Sequence, residues 1–228
     1  VKEKGGYWHS WIESRPAQFF GLTVVAVLIG GIIEVVPTFL VKSNTPTIAA
    51  VKPYTPLELI GRDIYIREGC NACHSQMIRP FRSETERYGE YSKSGEFVYD
   101  HPFLWGSKRT GPDLHRVGWK YPDAWHYSHM LDPQTMSPGS IMPPYPWLLT
   151  QPIETADLSA KIKVMQVLGV PYPEGYSSQA IEDLKEQALV IQKNLTDGGF
   201  KTDSDREIIA LIAYLQRLGT DIQPKEGE

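Results

Sequence analysis

The chain has 228 residues, a net charge of −4 and a pI near 5.9. That balance excludes the strongly basic surface which nucleic acid, as a partner, would ask for. Its apolar residues, 41 % of the total, are unevenly spread, as in one ordinary domain carrying an apolar appendage.

Residues 1–16 precede the appendage. A start at Val1 leaves an initiator Met, or a few residues, to be expected before it. Residues 17–41, AQFFGLTVVAVLIGGIIEVVPTFLV, contain one acidic and no basic residue. As a helix they are long enough to cross a hydrocarbon core of about 30 Å. The run exceeds the roughly 7–15 apolar residues of a signal peptide, and no clear A-x-A site follows it. It is apolar on all sides, unlike the striped helix of a soluble core. We therefore expect a transmembrane helix in contact with lipid. Glu34 is the exception, and it either faces a partner or cavity or reaches head groups at the far interface. Pro37 should kink or end the span, and Trp8 and Trp11 flank its near end as interface aromatics do. Lys2, Lys4 and Arg15 before the span, against Lys42 and Lys52 after it, lean toward a cytoplasmic N-terminus, residues 1–16.

Residues 42–54, KSNTPTIAAVKPY, read as a polar linker punctuated by proline. Thr55, Pro56 and Glu58 then form a capping box with proline at the first helical position. Leu57, Ile60, Ile64 and Tyr65 follow at helical spacing, so a short helix runs into C-N-A-C-H at 70–74. Residues 75–108 read as loop with one short hairpin. Within them, Arg79-Pro80-Phe81-Arg82 is either a solvated basic turn or a binding surface, and Trp105 through Arg109 could pack on a partner. GPDL at 111–114 has the look of a turn, a helix is expected around 122–131, and MSPGSIMPPYPWL is a stiff, Pro-rich loop. Residues 154–168 and 177–195 read as helices. In DREIIALIAYLQRLG, 205–219, Ile208, Ile209, Leu211, Ile212, Leu215 and Leu218 form one wide apolar face, with Gly219 placed to end the helix.

Cys70 and Cys73 are the only cysteines. A structural zinc site would want two more thiol or imidazole ligands at matching spacing. A thioredoxin-like pair would follow a strand, whereas a helix is expected here. The remaining reading of C-x-x-C-H is covalent attachment of one haem c. Each thiol adds to one vinyl group on the same edge of the macrocycle, and the next residue, His74, reaches the iron. Haem c is attached outside the cytoplasmic membrane of bacteria, which places residues 55–228 in the periplasm as a haem domain. A second axial ligand, Met or His, would make an electron carrier; an open position would make a catalyst or gas binder. Met77 is too close to His74 in sequence, and Met165 lies on a core stripe. Met142 and Met136 both lie in the Pro-rich loop, which can press a soft thioether onto iron at little entropic cost. Met142 is preferred and Met136 is the alternative; His115, His126 and His129 read as packing or surface residues.

GRDIYIREGCNACH, GPDL, IMPPY and REIIALIAYL together resemble a class I cytochrome c domain. That resemblance implies that Gly61 and Tyr65 on the first helix meet Tyr214 on the last. It also implies His74 and Met142 as iron ligands, with the carbonyl of Pro112 accepting from His74. Over nearly its whole length the chain resembles the mono-haem subunit (CcoO/FixO type) of cbb3-type cytochrome c oxidases. The stretches GCNACHSQMIRPFRSETERYGEYS, FLWGSKRTGPDLHRVGWKYPDAWHYSHMLDPQ and SIMPPYPWL carry that likeness. The implied fold is mainly α, one N-terminal membrane helix and a cytochrome c-like domain with insertions at about 75–108 and 150–200, which look like docking surfaces. The implied function is electron transfer from a di-haem cytochrome c subunit, or a soluble cytochrome c, to the large haem b/b3–copper subunit that reduces oxygen to water and pumps protons. A calcium ion near that contact is compatible with the resemblance. The alternatives are the small subunit of a nitric oxide reductase or a stand-alone membrane-anchored cytochrome c.

Overall fold

A computed structural model describes residues 6–41 and 46–222. Lys2, Lys4 and Lys42, used above for orientation, and the Trp8 side chain, read as an interface aromatic, lie outside the described residues. The chain divides into two units, residues 1–46 and 47–228.

The first unit holds α1 (Gly6–Glu13) and α2 (Pro16–Leu40). Pro16 opens α2 at a position where its missing N–H costs nothing, and the Arg15 guanidinium lies 4.5 Å from the centre of the Trp11 ring. Over Pro16–Pro37 the mean hydropathy is 2.5 and none of the surface is buried within the chain. These 22 residues reach about 33 Å as a helix, which matches a bilayer core. Thr23 satisfies its hydroxyl on the Phe19 carbonyl, 2.8 Å away, so it needs no outside partner. The helix does not stop at Pro37 but runs on to Leu40.

The second unit starts from α3 (Pro56–Arg67), and its capping box is formed as expected. The Glu58 N–H donates to Thr55 Oγ1 at 3.3 Å, and the Thr55 N–H donates to the Glu58 carboxylate at 2.8 Å. A single turn, α4 (Cys70–Cys73), follows directly. The expected hairpin in 75–108 is replaced by α5 (Arg82–Tyr88) and a 3-10 turn, Ser94–Phe97; the described residues form no β-strand. Then come α6 (Asp123–Leu131), α7 (Pro133–Met136), a 3-10 turn at Pro146–Leu149, α8 (Leu158–Val167), α9 (Tyr176–Asp197) and α10 (Glu207–Arg217). Met136, expected in loop, ends α7.

The most extensive packing is between α3 and α10. Leu57, Ile60, Ile64 and Tyr65 bury against Ile208, Ile209, Leu211 and Ile212. Gly61 makes the approach possible: a Cβ there would lie 1.9 Å from the Ala210 carbonyl oxygen and 2.8 Å from Tyr214 Cβ. The Tyr65 and Tyr214 rings meet at 5.3 Å, tilted by 57°. Arg67, in the last turn of α3, grips Glu207 at the start of α10 with two bonds of 2.7 and 2.5 Å, a bidentate pair that also suits both helix dipoles. Leu218 ends α10 and Gly219 follows at φ 72°. No side chain would fit there in any case, since a Cβ would meet the His115 carbonyl oxygen at 2.2 Å.

The 150–200 segment is more than an appended surface. Ala180, Leu184, Ala188, Ile191 and Leu195 of α9 are buried in the same core as α3 and α10, and Lys161 of α8 pairs with Asp63 of α3. What this leaves on one side is the short stretch after α3, where the remaining chemistry gathers.

Candidate functional site

Gly69 takes the left-handed conformation, φ 72°, that ends α3 and lets the chain turn at once into α4. In that single turn Cys70 and Cys73 stand three residues apart and share a face. The His74 N–H closes the turn on the Cys70 carbonyl at 2.8 Å, and His74 itself is already extended, φ −111°. His74 therefore leaves the turn directly after Cys73.

Neither cysteine is in a disulfide. Burial, aided by the charge of Glu68, pushes the Cys70 thiol up to about 12. Among the described residues no cluster of three or more His, Cys, Asp or Glu is placed to hold a bare metal ion.

His74 donates from Nδ1 to the Pro112 carbonyl, 2.8 Å away. Burial holds the His74 pKa below its usual value, while the Pro112 bond and the Asp113 charge pull the other way. With Nδ1 occupied as donor, the Nε2 lone pair of the neutral ring is the one available to a metal. The GPDL loop is bonded to the chain on either side of His74. The Gly111 N–H reaches the Cys73 carbonyl at 3.0 Å, and the Leu114 N–H reaches the Ser75 carbonyl at 2.9 Å. The Asp113 carboxylate accepts from the Ser75 hydroxyl at 2.6 Å, from the Met77 N–H at 2.8 Å and from the His115 N–H at 2.9 Å. Gly111 has to be glycine, because a Cβ would sit 2.2 Å from His74 Cε1. From behind, Tyr65 donates to the His74 carbonyl at 3.4 Å, and the Gln76 amide bonds the Tyr214 hydroxyl at 3.0 Å. The α3–α10 crossing thus holds the site directly.

The Pro-rich loop is anchored to both sides of this arrangement. The Tyr145 N–H donates to the Met130 carbonyl of α6 at 2.8 Å, and the Trp147 indole donates to Glu68 at 3.0 Å. Burial raises the Tyr145 hydroxyl pKa, and Cys70 and Cys73 add to the rise, which sets that ring near both thiols. Met142, in the same loop, is half-buried against the core, and its N–H bonds Ser140 Oγ at 3.2 Å. Met136 is half-buried on α7, whereas Met130 and Met165 are core residues.

The histidines divide. His115 and His126 are buried packing residues, as expected. His129 is different: its ring stacks on Trp125 at 4.6 Å, its Nδ1 is buried without a partner, and His74 contributes to lowering its pKa after burial. An orphaned polar nitrogen close to His74 is what a bound polar group on that side would satisfy. Two thiols on one turn followed by an imidazole fixed through Nδ1 fit the attachment of a haem; among the described residues no hydrogen bond joins Met142 to them. Asp113 and His129 were not singled out by the sequence reading for these positions. The only available signal was an Asp placed to bond the N–H two residues on, a turn habit shared with many loops.

Compared with known protein families, residues 9–222 match the model described as cytochrome C oxidase, mono-heme subunit/FixO. No curated protein matches the chain.

Proposed function

This chain belongs to the FixO family of mono-haem cytochrome c oxidase subunits, and from that premise we propose that it carries electrons to the oxygen-reducing centre of a cbb3-type oxidase. Cys70 and Cys73 would bind one haem c through thioether bonds, and His74 and Met142 would hold its iron. The haem supplies one-electron ferric/ferrous chemistry. The protein's part would be to fix His74 and Met142 and to keep water from the iron they hold. A Met/His pair raises the potential relative to two imidazoles, which suits a carrier feeding an oxygen-reducing centre.

The observation that carries this reading is the 2.8 Å bond from His74 Nδ1 to the Pro112 carbonyl. It fixes the ring tautomer and orientation in the way metal-bound histidines require, and it does so directly after two cysteines on one turn.

Electrons enter from a di-haem cytochrome c subunit or a soluble cytochrome c. They leave to haem b and the haem b3–copper centre of the large subunit, where proton pumping also resides. The α2 helix anchors the chain in the bacterial inner membrane, with residues 55–228 in the periplasm. The protein is thus an electron-transfer subunit of an oxidoreductase and contains no oxygen-reducing site of its own.

Two measurements test this. Intact mass and denaturing gels stained for haem should show one haem covalently held, and loss of it in C70A/C73A. The complex captured from its native membrane should consume oxygen with a reduced c-type donor and contain haem b and copper. Consumption of nitric oxide without oxygen turnover would contradict the oxidase assignment.

A further inference from the structure

We propose that Asp113 and Arg109 are positioning residues of opposite sign that set the electron affinity of the haem through His74, an inference that rests on the haem reading above. Asp113 adjoins Pro112, the acceptor of His74, and bonds Ser75, the residue after His74. Its side chain is completely buried and all its hydrogen bonds come from the segments that flank the imidazole, the Ser75 hydroxyl, the Met77 N–H and the His115 N–H. A buried anion on the donor side of the ring makes the imidazole more electron-rich and favours the ferric centre, which carries one more positive charge than the ferrous one.

Arg109 opposes it. Its Nη2 lies 3.7 Å from Asp113 Oδ2 and is bonded to the Met77 carbonyl at 2.8 Å and to Glu84 Oε2 at 2.7 Å. The side chain is only 15 % exposed, so its charge is weakly screened by solvent. Glu84 is in turn clamped by Arg79, whose N–H donates to it at 2.8 Å. An alternating series, Asp113, Arg109, Glu84, Arg79, therefore runs from the back of the haem ligand to Arg79, which is 41 % exposed. It accounts for α5: the segment that looked like loop is the arm holding Arg109 against Asp113. Two charges of opposite sign beside one ligand must shift the potential in opposite directions when each is removed, whereas two residues needed only for folding would not.

The test is a redox titration, followed by the visible spectrum of the ferrous haem, on the detergent-purified complex containing wild type, D113N, R109Q or R109K. Thermal melting and the low-spin spectrum are recorded for each. D113N should raise the midpoint potential, R109Q should lower it, and R109K should lie between R109Q and wild type. Potentials that stay put, or move in the same direction, in variants that keep haem and its low-spin spectrum would overturn the proposal. If D113N fails to keep its haem, the arginine pair decides: R109Q must lower the potential and R109K must restore it, and any other result overturns the proposal. A wild-type chain with no covalent haem would overturn the haem reading itself, a result distinct from a normal haem whose potential ignores these charges.

Discussion

The carbonyl oxygen of Pro112 stands 2.8 Å behind Nδ1 of His74, and Gly111 leaves the ring the space to reach it. The two residues are 38 positions apart in the chain. They meet because the Gly111 and Leu114 amides bond the backbone on both sides of His74. The orientation of the His74 ring is set by a loop–loop zipper and not by the C-x-x-C-H turn alone.

Gly111→Ala should therefore damage the site more than the fold. The added Cβ would lie 2.2 Å from Cε1 and 2.6 Å from Nδ1 of the ring, so the imidazole must leave Pro112. Covalent haem should persist through Cys70 and Cys73, with loss of the low-spin spectrum. A variant with an unchanged visible spectrum would mean the ring does not need this support.

Gly61→Ala tests the crossing that holds the site. The clash is with the Ala210 backbone, which cannot rotate away, so α3 and α10 must separate. The cost is roughly 2–3 kcal/mol, or about 5–10 °C in melting temperature for a domain of this size. Gly106→Ala, where a Cβ meets nothing within 4 Å, is the control and should stay within about 0.5 kcal/mol of wild type. Equal melting temperatures for the two variants would contradict the packing described.

Acid should loosen the domain through its buried histidines. Burial pushes His126 down to about 4 from an ordinary value of 6.5, with His129 adding to the drop against the pull of Asp123. Burial lowers His115 as well. A depressed histidine takes up its proton in the unfolded chain first. Its contribution is thus complete above about pH 6.5 and is lost as the pH falls toward about 4. Between pH 7 and 5 urea unfolding should show a loss on the order of 2 kcal/mol, and H126Q should flatten that fall. A slope unchanged in H126Q would assign the acid sensitivity to other groups.

Which parts of this were legible in the sequence follows from what holds each part together. The helices α3 and α10 carry long apolar faces, and α3 also carries a cap and proline, so local chemistry and tertiary packing agree. Residues 17–41 were legible because an all-round apolar surface has one stable environment. The helix at Arg82–Tyr88 was not. RSETERY has no apolar stripe, and its place is fixed by ion pairs from Arg79 and Arg109 to Glu84, partners that spacing cannot reveal. At the site, the bond between His74 and Pro112 was foreseen only through the resemblance to class I cytochromes c, since nothing in GPDL by itself sets it apart from an ordinary turn. Asp113 read as a turn residue, since its donors on Ser75 and Met77 come from a segment that only the fold brings alongside. His129 read as packing; like His126 it keeps a buried nitrogen without a partner, and what separates the two is that His74 contributes to lowering the His129 pKa while His126 is set deeper in the core.

The central claim, that electrons reach the oxygen-reducing centre through one haem ligated by His74 and Met142, is tested most directly by replacing Met142 in the assembled oxidase. The visible spectrum of haem c and oxygen uptake with a reduced c-type donor are then measured together, with M136A as the parallel variant. The account predicts that M142A keeps covalent haem, haem b and copper, turns its haem c high-spin and loses most of its oxygen uptake, while M136A behaves as wild type. A low-spin spectrum with full oxygen uptake in M142A would contradict it, and the same losses appearing in M136A instead would move the ligand to that residue.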